Sequence, residues 1–208
     1  PYTTLQIPKQ GIGEWCHPLH TVDINDAGLR SSVQNGILNT ELGIPFRTPA
    51  EGHNVAFTSL WDNYPDSLEI PLKGKASRAY LLMAGSTNHM QCHIDNGVIR
   101  IYYKDGTRDV MFLRNPDNWP PIEHIFFEDG LAFNRHTPAL YRLRLKTGEI
   151  SNNFGEELGF PGASRELDGG AAVLLEMPLN PGKKLSHLVL ETLSNDVVIG
   201  LMSITLQR

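Results

Sequence analysis

The stretch from Arg78 to Pro116 constrains the fold most, because it punctuates itself into strands. Ala79-Tyr80-Leu81-Leu82-Met83-Ala84 is a nearly continuous apolar run ended by Gly85. Its length suits a strand buried on both faces. Val98 to Tyr103 is rich in β-branched and aromatic residues and stops at Lys104-Asp105-Gly106-Thr107. Arg108 to Arg114 follows at once, closed by Asn115-Pro116. Asp-Gly between two such runs is a strong short-range hairpin signal.

The same pattern recurs along the chain. Val55 to Leu60 reads as a strand, and so does Leu68-Glu69-Ile70-Pro71-Leu72, with Leu68, Ile70 and Leu72 on one face. Tyr141 to Lys146 alternates strictly. Ala171 to Met177, Lys184 to Leu193 and Val197 to Leu206 complete the set. Residues 1–20 carry Pro1, Pro8, Gly11, Gly13 and Pro18 and read as an extended lead-in packed on the body. Asp23 to Arg30 reads as a polar turn, residues 31–53 as a surface excursion without period, and residues 149–170 as a loop. No helix of three turns is expected. Many strands with frequent turn signals predict an all-β chain, a β-sandwich or barrel, with residues 1–208 as one domain.

Composition limits the partners. The 208 residues are 40% hydrophobic and 20% charged, enough to bury a sizeable core. A net charge of −5 without a basic patch argues against nucleic acid. No apolar run approaches the ~20 residues of a membrane-spanning helix, so no membrane insertion is expected. Cys16 and Cys92 are the only cysteines, too few for a disulfide framework, and buried thiols are the favoured reading over a pair.

Signals for chemistry are sparse. His17 and His20 lie three apart, and His89 and His93 four apart with Cys92 between them. Without an HExxH or paired CxxC pattern, scattered hydrogen-bonded histidines are expected rather than a zinc site. GxSxG, P-loop and dinucleotide fingerprints are absent. The loop carboxylates Asp62, Asp66, Asp117, Glu123, Glu128 and Asp129 could form a glycosidase pair only if the fold brought two of them across a cleft. Asp23, Asn25 and Asp26 offer oxygen ligands to Ca²⁺, with ordinary turn hydrogen bonding as the competing and favoured reading; no cofactor is otherwise expected. The loops Trp61-Asp62-Asn63-Tyr64 and Asn118-Trp119 to Glu123 set aromatic rings beside amide and carboxylate groups. Such rings stack on the C–H faces of sugars while the polar groups orient hydroxyls. The competing and favoured reading is that a Trp next to Pro plugs the end of the sandwich.

WDNYPDSLEIPLKGKA (61–76), AYLLMAGSTNHMQ (79–91), NGVIRIYYKDGT (96–107), NPDNWPPIEH (115–124), FEDGLAF (127–133) and NDVVIGLMSITL (195–206) resemble a β-sandwich module of large, exported glycoside hydrolases and related proteins of Bacteroidetes. CHP (16–18), INDAGLR (24–30) and GIPF (43–46) fit the same resemblance. The family pattern has two tryptophans before Pro-Ile-Glu and a Gln after it; here Pro120 follows Trp119, and His124 replaces the Gln. The resemblance implies a galactose-binding-like jelly roll, exported to the periplasm or cell surface. It implies an accessory, non-catalytic module that binds a glycan and adjoins a catalytic domain of the same polypeptide. Trp61, Asp62, Asn63, Tyr64, Asn118, Trp119 and Glu123 are then the expected carbohydrate-binding residues. Two other readings stay open: a structural domain packed on a catalytic partner, which should expose an apolar patch, and a small glycoside hydrolase or lyase, which needs two facing carboxylates.

Overall fold

The computed structural model describes residues 2–3, 24–61, 64–125, 134–153 and 165–208. The fold is all-β and antiparallel in every named strand pair. A seven-stranded sheet runs in the order β1 (Tyr2–Thr3), β5 (Val55–Ser59), β16 (Val197–Gln207), β7 (Arg78–Thr87), β14 (Ala171–Pro178), β11 (Arg142–Arg144), β12 (Ile150–Ser151). A four-stranded sheet faces it, ordered β6 (Ser67–Pro71), β15 (Leu185–Thr192), β8 (Gly97–Tyr103), β9 (Arg108–Leu113).

The core between these sheets follows from strand alternation. Leu81 and Met83 of β7 and Ile199 and Leu201 of β16 meet Ile99 and Ile101 of β8 and Leu188 and Leu190 of β15. The intervening residues of the large sheet, Leu82 and Ala84 of β7 and Val198 and Met202 of β16, point the other way into a second apolar cluster. Burial on both faces is why β7 reads as an unbroken apolar run. In the β8–β9 hairpin, Gly106 takes φ +85°, and the Thr107 carbonyl accepts from the Tyr103 N–H at 2.9 Å.

The second cluster corrects the expectation for residues 24–53. Instead of a polar turn and a surface excursion, this segment is a packed layer over the outer face of the large sheet. It holds the short helix α1 (Ala27–Ser31) and a three-stranded sheet of β2 (Val33–Gln34), β3 (Ile37–Asn39) and β4 (Pro45–Arg47). Leu29, Leu38 and Phe46 are its fully buried anchors. Strands of two or three residues carry one inward side chain each, too few to show a period. Gly28 is required where α1 meets the turn after β11, since a Cβ there would lie 2.3 Å from the Lys146 carbonyl oxygen.

Two further differences are local. The alternating segment 141–146 keeps only Arg142–Arg144 as strand and turns at Leu145–Thr147. The expected loop 149–170 contains β12, and β13 (Arg165–Glu166) pairs with β10 (His124–Ile125). Among the described residues no helix is long and apolar enough to cross a membrane. Apart from the pairing of Tyr2–Thr3 with Val55–Ala56, the lead-in, Cys16, His17, His20, Asp23, Glu128 and Asp129 lie outside the described residues.

Candidate functional site

Strand register gathers several loops at one end of the sandwich. Thr87 at the end of β7 pairs with Val197 at the start of β16, and Gly97 at the start of β8 pairs with Thr192 and Leu113. Ser59, the last residue of β5, lies opposite Val198. Residues 60–61, 64–66, 88–96, 114–123 and 193–196 therefore leave the sheets together.

Buried polar groups tie these segments down. The Thr58 and Thr192 hydroxyls share a hydrogen bond of 2.8 Å, and Ser59 Oγ donates to the Val197 carbonyl at 2.7 Å. The Leu193 N–H donates to the Asn96 carbonyl at 3.0 Å. Asn115 Nδ2 and Cys92 Sγ both donate to the His89 carbonyl, at 3.3 and 3.0 Å. The Thr58, Ser59 and Thr192 hydroxyls and the Asn115 amide are buried, so each needs its hydrogen bond.

Within this frame four of the described histidines, His89, His93, His124 and His136, come together with carboxylates instead of lying scattered. Two groups of three side chains converge, each with its donor atoms within 4.8 Å of one another. The first group is buried: His89 Nε2 and His124 Nδ1 stand 3.8 and 4.0 Å from Glu123 Oε1. Ser86 Oγ donates to that same oxygen at 3.3 Å, while Glu123 Oε2 is buried without a hydrogen-bond partner. The imidazoles of His89 and His124 meet edge to face with centroids 3.9 Å apart.

Arg142 is buried beside this group. Its guanidinium donates to the carbonyls of Pro121, Ile122, His124 and Ala171, fastening the 121–124 segment to the edge of β14. Burial lowers its pKa to about 10, an effect the Glu123 charge partly offsets. It stays protonated at neutral pH, with Glu123 as counter-charge.

The second group lies nearer the surface: His93 and Asp117 are half-buried and His136 is exposed. His93 Nδ1 lies 3.8 Å from Asp117 Oδ2, and His136 Nδ1 lies 3.5 Å from Asp117 Oδ1. The two imidazoles tilt toward each other with centroids 4.7 Å apart. The residues come from the loop after β7, the turn after β9 and the segment before β11.

Among the described residues, those expected to bind carbohydrate do not form one surface. Trp119 is fully buried in the core between the sheets, its ring seated over Gly85, so no ring face is open to a sugar. Asn118 holds a turn: its Oδ1 accepts from the Arg114 N–H at 2.7 Å and its Nδ2 donates to the Phe112 carbonyl at 2.8 Å. Glu123 belongs to the buried trio. Trp61 and Tyr64 are half-buried against the second apolar cluster, Tyr64 meeting Phe57 edge-on at 6.1 Å, and burial raises the Tyr64 pKa. Asp62 and Asn63 lie outside the described residues. Asn25 Oδ1 accepts from the Ala27 N–H, and Asp26 Oδ2 accepts from Arg30 and Asn54, so both are engaged in turn and ion-pair contacts.

The outer face of the four-stranded sheet had no distinct sequence signal. Tyr102 and His187 stand upright there, stacked at 4.6 Å, with Arg108 over the Tyr102 ring and Arg100 paired with Glu191.

Compared with protein-family models, curated proteins and solved structures, the chain matches none.

Proposed function

We propose that this chain is a non-catalytic accessory module, a galactose-binding-like jelly roll exported as part of a polysaccharide-degrading protein, and that it binds glycan at the loop end of the sandwich. The reading is supported chiefly by one observation: the half-buried Trp61 and Tyr64 leave the sheets at the same end as His93, Asp117 and the exposed His136. Aromatic rings offer apolar faces to sugar C–H groups, and the exposed His136 imidazole offers a donor or acceptor to hydroxyls. The family resemblance of 61–76 and 115–124 points the same way. Trp119 supports the loop from below instead of touching ligand.

Affinity gel electrophoresis against a panel of plant and host polysaccharides tests this. One polysaccharide should retard the domain, Trp61→Ala and Tyr64→Ala should weaken retardation at least about tenfold, in the range of aromatic hot-spot losses, and Trp119→Phe should leave it unchanged. Folded Trp61→Ala and Tyr64→Ala variants that keep full retardation would refute the site. If no polysaccharide retards the intact domain, glycan binding itself fails. The alternative is then a domain that packs on a catalytic partner through the exposed Met90, Ile94 and Leu193 at this end.

A further inference from the structure

We propose that His93, Asp117 and His136 form a binding site for a divalent transition-metal ion of the zinc class, open to solvent on one side. Two imidazoles and one carboxylate are the donor set of open zinc sites, in which protein supplies three ligands and water or substrate the rest.

The geometry is near what an ion needs. Donors around a tetrahedral zinc with bonds of 2.0–2.1 Å stand about 3.3 Å apart. The observed separations from Asp117 are 3.5 and 3.8 Å. His93 faces Asp117 Oδ2 and His136 faces Oδ1, and one donor atom from each of the three residues lies within 4.8 Å of the others, so closing onto an ion draws them together by about 1.5 Å at most, within side-chain reach. Those same separations are too long for hydrogen bonds. Both ring nitrogens of His93 are buried and lack a hydrogen-bond partner, a cost that an ion would remove from at least one of them.

The backbone holds the three side chains in place before any ion arrives. His93 sits at φ +57°, a region a non-glycine residue rarely adopts, and its N–H donates to the Asn115 carbonyl at 2.7 Å. Asp117 lies in the turn closed by the Asn118 and Trp119 N–H groups on the Arg114 carbonyl, at 3.0 and 3.1 Å. The His136 N–H donates to Asp117 Oδ1 at 2.7 Å, and Thr137 Oγ1 donates to the Asp117 carbonyl at 2.6 Å. That backbone donor orients the carboxylate as an outer-shell partner does in known metal sites. Asp117 and His93 are partly shielded, while the His136 side chain is 64% exposed, leaving a path for an ion and open positions on it.

The buried trio is the weaker candidate. Arg142 beside Glu123 already supplies a positive charge there, and a divalent ion would add to it in a region remote from water.

The test is Zn²⁺ titration of the chelator-treated full chain by calorimetry, with Co²⁺ absorption as a second readout of ligand geometry. One equivalent should bind with micromolar or tighter affinity, and Co²⁺ should give the intense visible bands of a low-symmetry nitrogen and oxygen site. Asp117→Asn and His136→Ala should each weaken binding at least about tenfold, since even outer-shell losses reach 10–100-fold. Unchanged thermal unfolding of His136→Ala should show that the fold persists. Glu123→Gln should leave binding unchanged. Binding that survives both Asp117→Asn and His136→Ala would overturn the assignment, as would loss in Glu123→Gln alone. So would a chain that takes up neither Zn²⁺ nor Co²⁺.

Discussion

Trp119→Ala separates a plug from a ligand platform. The Trp119 ring has no exposed surface, and its Nε1 has no hydrogen-bond partner, so its contribution is packing alone. A tryptophan buries up to about 250 Å², which at ~25 cal/mol/Å² bounds the transfer term near 6 kcal/mol. Measured truncations of buried aromatics cluster at about 3–5 kcal/mol, because the unfolded chain hides some of that area and the cavity partly relaxes. The ring rests on backbone at Gly85, which cannot collapse into the space, so the upper part of that range applies. For a domain of this size, a loss of about 4–5 kcal/mol is a fall in Tm of roughly 8–20 °C. Urea unfolding followed by far-UV circular dichroism should show the midpoint falling with an unchanged slope. Trp119→Phe should recover much of the loss, and wild-type Trp119 fluorescence should resist quenching by iodide. A loss below about 1 kcal/mol, with ready quenching of Trp119, would refute burial and return this residue to the list of ligand contacts.

Other perturbations follow from single contacts. Gly85→Ala should cost about 3 kcal/mol or more, because the added Cβ would lie 2.2 Å from the Val198 carbonyl oxygen and 2.4 Å from the Trp119 ring; thermal melts check it. Arg142→Ala should cost about 3–5 kcal/mol, as expected when one member of a buried charged network is removed, and should raise hydrogen exchange in 121–124, whose carbonyls it binds. The Tyr103 pKa is pushed up to about 12, first by burial and then by its hydrogen bond to Asp109. The native state keeps this proton where the unfolded chain, with its tyrosine near pH 10, has lost it. The stabilisation is therefore complete below pH 10 and disappears as pH rises through 12. Tyr103→Phe should flatten that alkaline slope in pH-dependent urea melts, and an unchanged slope would contradict it.

Much of the sandwich was legible because its long strands carry two independent signals. The β8–β9 hairpin announces itself through Asp105-Gly106, and β6 through Leu68 and Ile70 on one face. The continuous run in β7 identified a strand buried on both faces, yet it gave no indication of what covered the outer one. That cover is made of strands too short for a period, anchored by isolated residues such as Leu38 and Phe46. The Asn118 to Glu123 loop was correctly picked out as unusual, but the orientation of Trp119 depends on Gly85, more than thirty positions away. The histidine groups were illegible for the same reason. His93, Asp117 and His136 belong to separate segments, and only the sheet register brings those segments to one end. His89 and His93, which their spacing suggested as a pair, fall into different groups.

The account turns on ligand recognition at the loop end of the sandwich. Backbone amide NMR of the full chain, titrated with the oligosaccharide of whichever polysaccharide retards it, tests that most directly. Shift changes should concentrate in 60–66, 88–96, 115–118 and 134–137. Changes centred on Arg100, Tyr102, Val110 and His187 would move the site to the outer face of the four-stranded sheet and contradict the account.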